Sequence, residues 1–173
     1  MRNDALERQF ARTPYAVSFL SSGQTFILVT LHVIYGKRAS ERTGELRAIA
    51  RWLRRWADQA SDFNQNLIAL GDFNIDRQGD PNYEAFTGEG LSPAPEHAGL
   101  PRTLPTLRGG KFYDQIAWFT QGGRRKLTLG YEGSGGNFEF DRYVLRRMER
   151  VPLSYRISDH YPLWVGFLMP PPG

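Results

Sequence analysis

The 173 residues, with 40% hydrophobic and 23% charged side chains, suffice for one domain with a real core and are too apolar for a disordered chain. The absence of cysteine excludes a disulfide framework, a thiolate metal site and a cysteine nucleophile. Basic residues outnumber acidic ones 22 to 18, and nearly all of them are arginine, whose planar fork matches phosphate oxygens. A pI of about 9.6 favours anionic partners such as nucleic acid or phosphorylated substrates, against the alternative of a generally arginine-rich background.

Residues 1–13 are polar and read as a frayed entry without the apolar core of a signal peptide. Strands are expected over 15–20 and 26–34, joined by a hairpin turn at 21–24. The second strand is apolar on both faces, as in an interior strand covered on both sides. Interrupted by Thr30 and His32, it is too short to span a bilayer, so the chain as written is expected to be cytoplasmic without a membrane span. The compartment of a longer parent stays open.

A helix is expected over 40–60, because Leu46, Ile49, Ala50, Leu53, Trp56, Ala57 and Ala60 form one stripe at three- and four-residue steps. Arg47, Arg51, Arg54 and Arg55 lie off that stripe, as a solvated face or a nucleic-acid surface. A short strand at 67–70 runs into Gly71-Asp72-Phe73-Asn74. The glycine- and proline-rich stretch 79–110 reads as irregular, apart from a short helix capped by Asp80 with Pro81 at its first position. Further strands are expected over 112–119, 127–130 and 161–168, with a turn at Gly133, Gly135 and Gly136 and a basic helix over 141–150. A proline-rich tail at 170–173 should stay disordered. The order is α/β, in a single domain over 1–173 without internal repeats.

Polar residues of interest fall at strand ends: His32, Asp72, Asn74, Asp114, Asp159 and His160. Delivering carboxylates and histidines to one edge is how an α/β sheet builds a site. Phosphate ester cleavage uses an oxygen-bound cation, for which Asp72 and Asp159 are natural ligands. An imidazole such as His160, oriented by Asp114, can take a proton from water. Asn74 can donate to a phosphate oxygen without adding charge. Each also has a structural reading: Gly-Asp-Phe-Asn as a turn, His32 as a satisfied strand-end residue, Ser158-Asp159-His160 as a cap. Asp114, inside an aromatic and apolar strand, demands a partner.

Four blocks, Leu31-His32-Val33 leading to Tyr35-Gly36, Leu70-Gly71-Asp72-Phe73-Asn74, Tyr113-Asp114-Gln115-Ile116, and Ser158-Asp159-His160-Tyr161-Pro162-Leu163, resemble in kind and order the endonuclease/exonuclease/phosphatase superfamily. The resemblance implies a DNase I-like β-sandwich flanked by helices, represented by its C-terminal portion. It implies a divalent-metal-dependent phosphoesterase of nuclease type using Mg²⁺ or Mn²⁺, acting on a phosphate ester such as nucleic acid. It further implies that Asp72 and Asn74 position water and phosphate, that Asp159 lies at the metal, and that His160 is the catalytic imidazole oriented by Asp114. His32 would contact phosphate or assist the leaving group. The family's principal metal-ligating Glu lies in an earlier block that has no counterpart ahead of His32, so activity weakened or lost is also expected. The alternative is an inactive phosphate- or nucleic-acid-binding module. An apolar sheet face left uncovered would then invite a partner.

Overall fold

The computed structural model describes residues 10–59, 66–104, 111–121 and 124–168; residues 1–9 of the entry expected over 1–13, and the tail at 170–173, lie outside them. Strands β1 (Tyr15–Ser21) and β2 (Gln24–His32) form a hairpin whose turn residues Ser22 and Gly23 both take positive φ, 46° and 74°. Helix α1 (Ser40–Ala57) carries the chain across to β3 (Leu67–Asp72), which pairs in parallel with β2. Helix α2 (Pro81–Thr87) starts as expected: the Asp80 carboxylate accepts from the backbone N–H of Asn82 (2.9 Å) and Tyr83 (2.8 Å), with proline at the first position. Strands β4 (Leu91–Pro93), β5 (Asp114–Gln121) and β6 (Arg124–Arg125) complete a sheet of order β1-β2-β3-β5-β4, with β6 attached to β5. A second, two-stranded sheet pairs β7 (Gly130–Asn137) with β8 (Leu163–Leu168), and helix α3 (Arg150–Arg156) lies between them in sequence.

One face of the main sheet is built to meet the helices. Leu46, Ile49, Ala50 and Leu53 of α1 share one buried cluster with Ile27, Val29, Leu31, Leu67, Ala69, Ala117 and Phe119 of the strands. Burial of this stripe is the main stabilising force on α1. The other face is covered only in part. Trp118 packs on Tyr131 and Phe167 of the second sheet at ring-centroid distances of 4.8 and 5.7 Å. Towards β1 that cover ends: Val17 and Phe19 are 52% and 44% exposed, and Phe26 and Leu28 only half-buried. The second strand is therefore interior in pairing but covered on one face, not both, and an apolar sheet face is open among the described residues.

Five local expectations are corrected. Gly133, Gly135 and Gly136 lie inside β7 rather than forming a turn, at a break in register between Tyr131 and Gly135 that bends the strand. The strand expected at 127–130 is reduced to Gly130, where β7 begins. No helix spans 141–150: a 3₁₀ turn at Phe140–Arg142 is followed by bends, Leu145 at φ 48° breaks the pattern, and α3 starts at Arg150. The stretch 79–110 holds β4, paired with β5, where only loop was expected after α2. The last strand starts at Leu163 because Tyr161 is a core residue of a second cluster with Leu104, Phe140 and Leu153.

Candidate active site

Three neighbouring strands end on one row. His32, the last residue of β2, is the register partner of Asp72, the last residue of β3, and Asp72 is the partner of Asp114, the first residue of β5. Because β2 and β3 run parallel and β5 runs against them, two strand C-termini and one N-terminus meet at the same edge. Period-two alternation puts all three side chains on the face away from α1. His32 Nε2 stands 3.6 Å from Asp72 Oδ2. The close approach of β3 to β2 depends on Gly71, at φ 133°: a Cβ there would lie 2.0 Å from the Leu31 carbonyl oxygen.

His160 arrives from the far side of the domain. Its Nδ1 lies 2.5 Å from Asp114 Oδ2, so Nδ1–H donates to the carboxylate and Nε2 is left facing outward. Backbone pairing holds it there: the Leu104 N–H donates to the Asp159 carbonyl and the Tyr161 N–H to the Arg102 carbonyl, both at 2.9 Å. The Ser158 hydroxyl accepts from the His160 N–H at 2.9 Å, closing the turn. The Tyr113 ring stacks on the imidazole with centroids 5.8 Å apart. Asp159 Oδ2 is 3.9 Å from Nε2, on a side chain 73% exposed. An open cavity of about 380 Å³ lies beside this pair, with Leu70, Ile116, Phe140 and Leu163 in its wall.

Charge is poorly balanced along the row. Burial raises the Asp72 carboxyl above its ordinary range, and the Asp114 charge raises it further, against an opposing hydrogen bond from the Asn74 N–H. The Asp114 hydrogen bond raises the His160 imidazole, and burial works against it.

Asn74 sits differently from the expected phosphate donor. It is buried at φ 51°, and its side-chain amide donates to the Val33 carbonyl at 2.7 Å, tying the loop after β3 to the end of β2. A residue outside the motif blocks supports the same loop. Arg42 is buried, donates to the Asn74 carbonyl (2.7 Å) and to Asp76 Oδ2 (3.2 Å), and stacks over the Tyr35 ring. The signal was present in the sequence: position 42 falls on the apolar stripe of α1, four residues before Leu46, where a solvated arginine does not belong.

The same frame is found in a known protein. The D. rerio TDP2, in a crystal structure complexed with single-strand DNA product, superposes with a TM-score of 0.55 at 16% identity, over 89% of this chain and 60% of that one. The chain has an α/β fold of the DNase I-like kind. In sequence it is similar to a protein named deoxyribonuclease from Thioalkalivibrio sp. (strain K90mix), 29% identical over an alignment of 168 residues that covers 92% of this chain. The chain spans 44% of that relative's length. A mannosyl-6-phosphatase of Bacteroides thetaiotaomicron gives a TM-score of 0.49 at 19% identity, over 85% of this chain and 52% of that one. No family model matches the chain.

The cation implied by resemblance to the endonuclease/exonuclease/phosphatase superfamily can be tested against the donors present. Asp114 is occupied by an imidazole, and Asp72 by the Asn74 N–H on one oxygen, with His32 near the other. Asp159 is exposed at 3.9 Å from His160 Nε2, and among the described residues no group of three or more His, Asp or Glu closes around a common point. Mg²⁺ requires an octahedral shell of hard oxygens, usually anchored by one or two carboxylates with water and substrate filling the rest. The described residues do not by themselves fit such an ion.

Proposed function

We propose that this chain carries the imidazole–carboxylate half of a phosphoester-hydrolysing centre of nuclease type. The observation that supports it is the His160–Asp114 pair at 2.5 Å, placed at the edge where β2 and β3 also end. In this reading the ester phosphorus sits over the row formed by His32, Asp72 and Asp114. Water attacks phosphorus as His160 Nε2 takes its proton; the new P–O bond forms while the P–O bond to the leaving alcohol breaks. Asp114 holds the imidazole with Nε2 outward and stabilises the imidazolium that results. His32, half-exposed at the end of the row, is placed to give a proton or hydrogen bond to the leaving oxygen. Asn74 serves as a brace for the loop that carries Asp72, not as a phosphate ligand.

The Mg²⁺ or Mn²⁺ dependence implied by family resemblance belongs to this proposal, with Asp72 and Asp159 as the ligands this chain offers. Bound there, a cation would supply charge neutralisation at the phosphoryl oxygens. Asp72 is already engaged by the Asn74 N–H and by His32, and Asp159 is exposed, so the pair would hold a cation weakly, which favours a second reading in which the chain binds phosphate esters but turns them over feebly.

Hydrolysis of bis(p-nitrophenyl) phosphate, measured with Mg²⁺ and again with excess EDTA, tests both readings. The proposal expects turnover above the buffer rate that falls about 10²–10⁴-fold in His160→Ala. Turnover equal in the parent and the variant contradicts it. Tight binding of the ester without turnover favours the second reading.

A further inference from the structure

Residues 142–157, immediately ahead of the His160 turn, carry five arginines against the single Glu149, as large a net charge as the whole chain's +4. They also hold six of the large apolar or aromatic side chains that the fold leaves exposed, among them Tyr143 (62%), Val151 (60%) and Tyr155 (88%). A segment with this many exposed apolar side chains and guanidinium groups is costly to leave bare, and the two types are interspersed along it. Its underside is fixed: Phe140 packs on Tyr161 with centroids 5.4 Å apart, and Leu153 and Met148 join the same small core. Arg142 and Arg150 are held by Glu139 (2.7 Å) and Asp141 (3.9 Å), whereas Arg146, Arg147 and Arg156 make no ion pair among the described residues. The segment reaches the active site directly, since Phe140 and Ile157 border the same cavity as Asp114 and His160.

We propose that residues 142–157 are a platform for a single-stranded nucleic acid, which would make that strand the substrate of the centre proposed above, so its catalytic part rests on that reading. The three unpaired arginines would take backbone phosphates, and Tyr155, with the face of Tyr143 that Phe138 does not cover, would stack on bases. Exposed rings select unpaired bases, because the π-faces of a duplex are already stacked.

The test is fluorescence anisotropy of the full chain with a labelled 12-nucleotide single strand, in EDTA so that no cleavage intervenes, across a salt series. Arg146→Ala/Arg147→Ala should weaken binding about tenfold and flatten the salt dependence by a slope of roughly 0.7 for each phosphate no longer neutralised. Tyr155→Ala should weaken it about tenfold with the salt slope unchanged. Thermal melts that superimpose on the parent's show that these exposed variants remain folded. Binding that ignores all three substitutions overturns the proposal, as does equal affinity for a duplex of the same length. Uptake by phosphatidylserine vesicles with no affinity for the oligonucleotide overturns it in favour of a lipid surface. Absence of ester hydrolysis with variant-sensitive oligonucleotide binding retained sinks the catalytic reading while the platform stands.

Discussion

Asp72 and Asp114 are direct cross-strand partners, two carboxylates in register on one face of the sheet. Like charges placed opposite each other destabilise a strand pair, and here the strain falls on Asp72, whose carboxyl burial and the Asp114 charge raise together. A group with a raised folded-state pKa contributes stability that is fully present below its unfolded value of 3.8 and is lost as pH rises through the folded value. At neutral pH the ionised Asp72 is therefore a net cost. Asp72→Asn, which keeps an oxygen for the Asn74 N–H, should stabilise the fold by about 0.5–1 kcal/mol at pH 7, or a few degrees in Tm, while removing activity. Thermal melts at pH 4 and pH 7 check this: the gain should be larger at pH 7, and a variant less stable at both refutes the charge argument.

The Asp114 contact also makes a prediction about His160. Its imidazole is raised chiefly by that hydrogen bond, so the pair stabilises the fold fully below the ordinary histidine value of 6.5 and the contribution disappears as pH rises through the raised one. An NMR titration of the His160 ring should give a midpoint above 6.5 in the parent. Asp114→Asn should shift that midpoint downward. Coincident titrations would show that the carboxylate does not act on the ring.

Gly71 should tolerate no side chain. At φ 133°, with a Cβ falling 2.0 Å from the Leu31 oxygen, Gly71→Ala must push β3 away from β2 or distort both. A loss of about 2–4 kcal/mol in urea unfolding is expected, larger than positive φ alone would give. Gly79→Ala, at φ 77° with no atom within 4 Å, serves as the control for φ and should cost about 1 kcal/mol.

Arg42 should behave as a buried clamp. Removing it strands the buried Asn74 carbonyl and leaves Asp76, which is partly exposed, with Lys111 alone, so Arg42→Ala should cost about 2–3 kcal/mol. Arg42→Lys should recover only part, since a single ammonium cannot reproduce the fork that reaches Tyr35, Asn74 and Asp76 together. Chemical denaturation of the two variants measures both effects.

The polar edge where His32, Asp72 and Asp114 meet was legible in the sequence because its elements follow simple periods. The stripe of α1, the apolar run of β2 and the Asp80-Pro81 start of α2 each follow from local rules, and these fix where His32, Asp72 and Asp114 end up. What the sequence hid depends on tertiary packing. Glycines in β7 looked like a turn because a strand with a bulge has no alternation to read. The basic run at 141–150 carried helical composition, but the packing of Phe140 against Tyr161 and the left-handed Leu145 impose bends instead. Asn74 shares the motif's chemistry, yet its amide turns inward to Val33, which no spacing rule foretells. Arg42 was readable in principle, as a charge on an apolar stripe.

A pH–rate profile for phosphodiester hydrolysis, comparing the parent chain with Asp114→Asn, bears most closely on the role given to His160. A base that must be neutral to accept a proton gives a rate that rises with pH through its own pKa. Without the Asp114 hydrogen bond that rise should move to lower pH and the plateau should fall about 10²-fold or more. Profiles that superimpose, or a parent rate no higher than buffer alone at every pH, would contradict a His160–Asp114 hydrolytic centre in this chain.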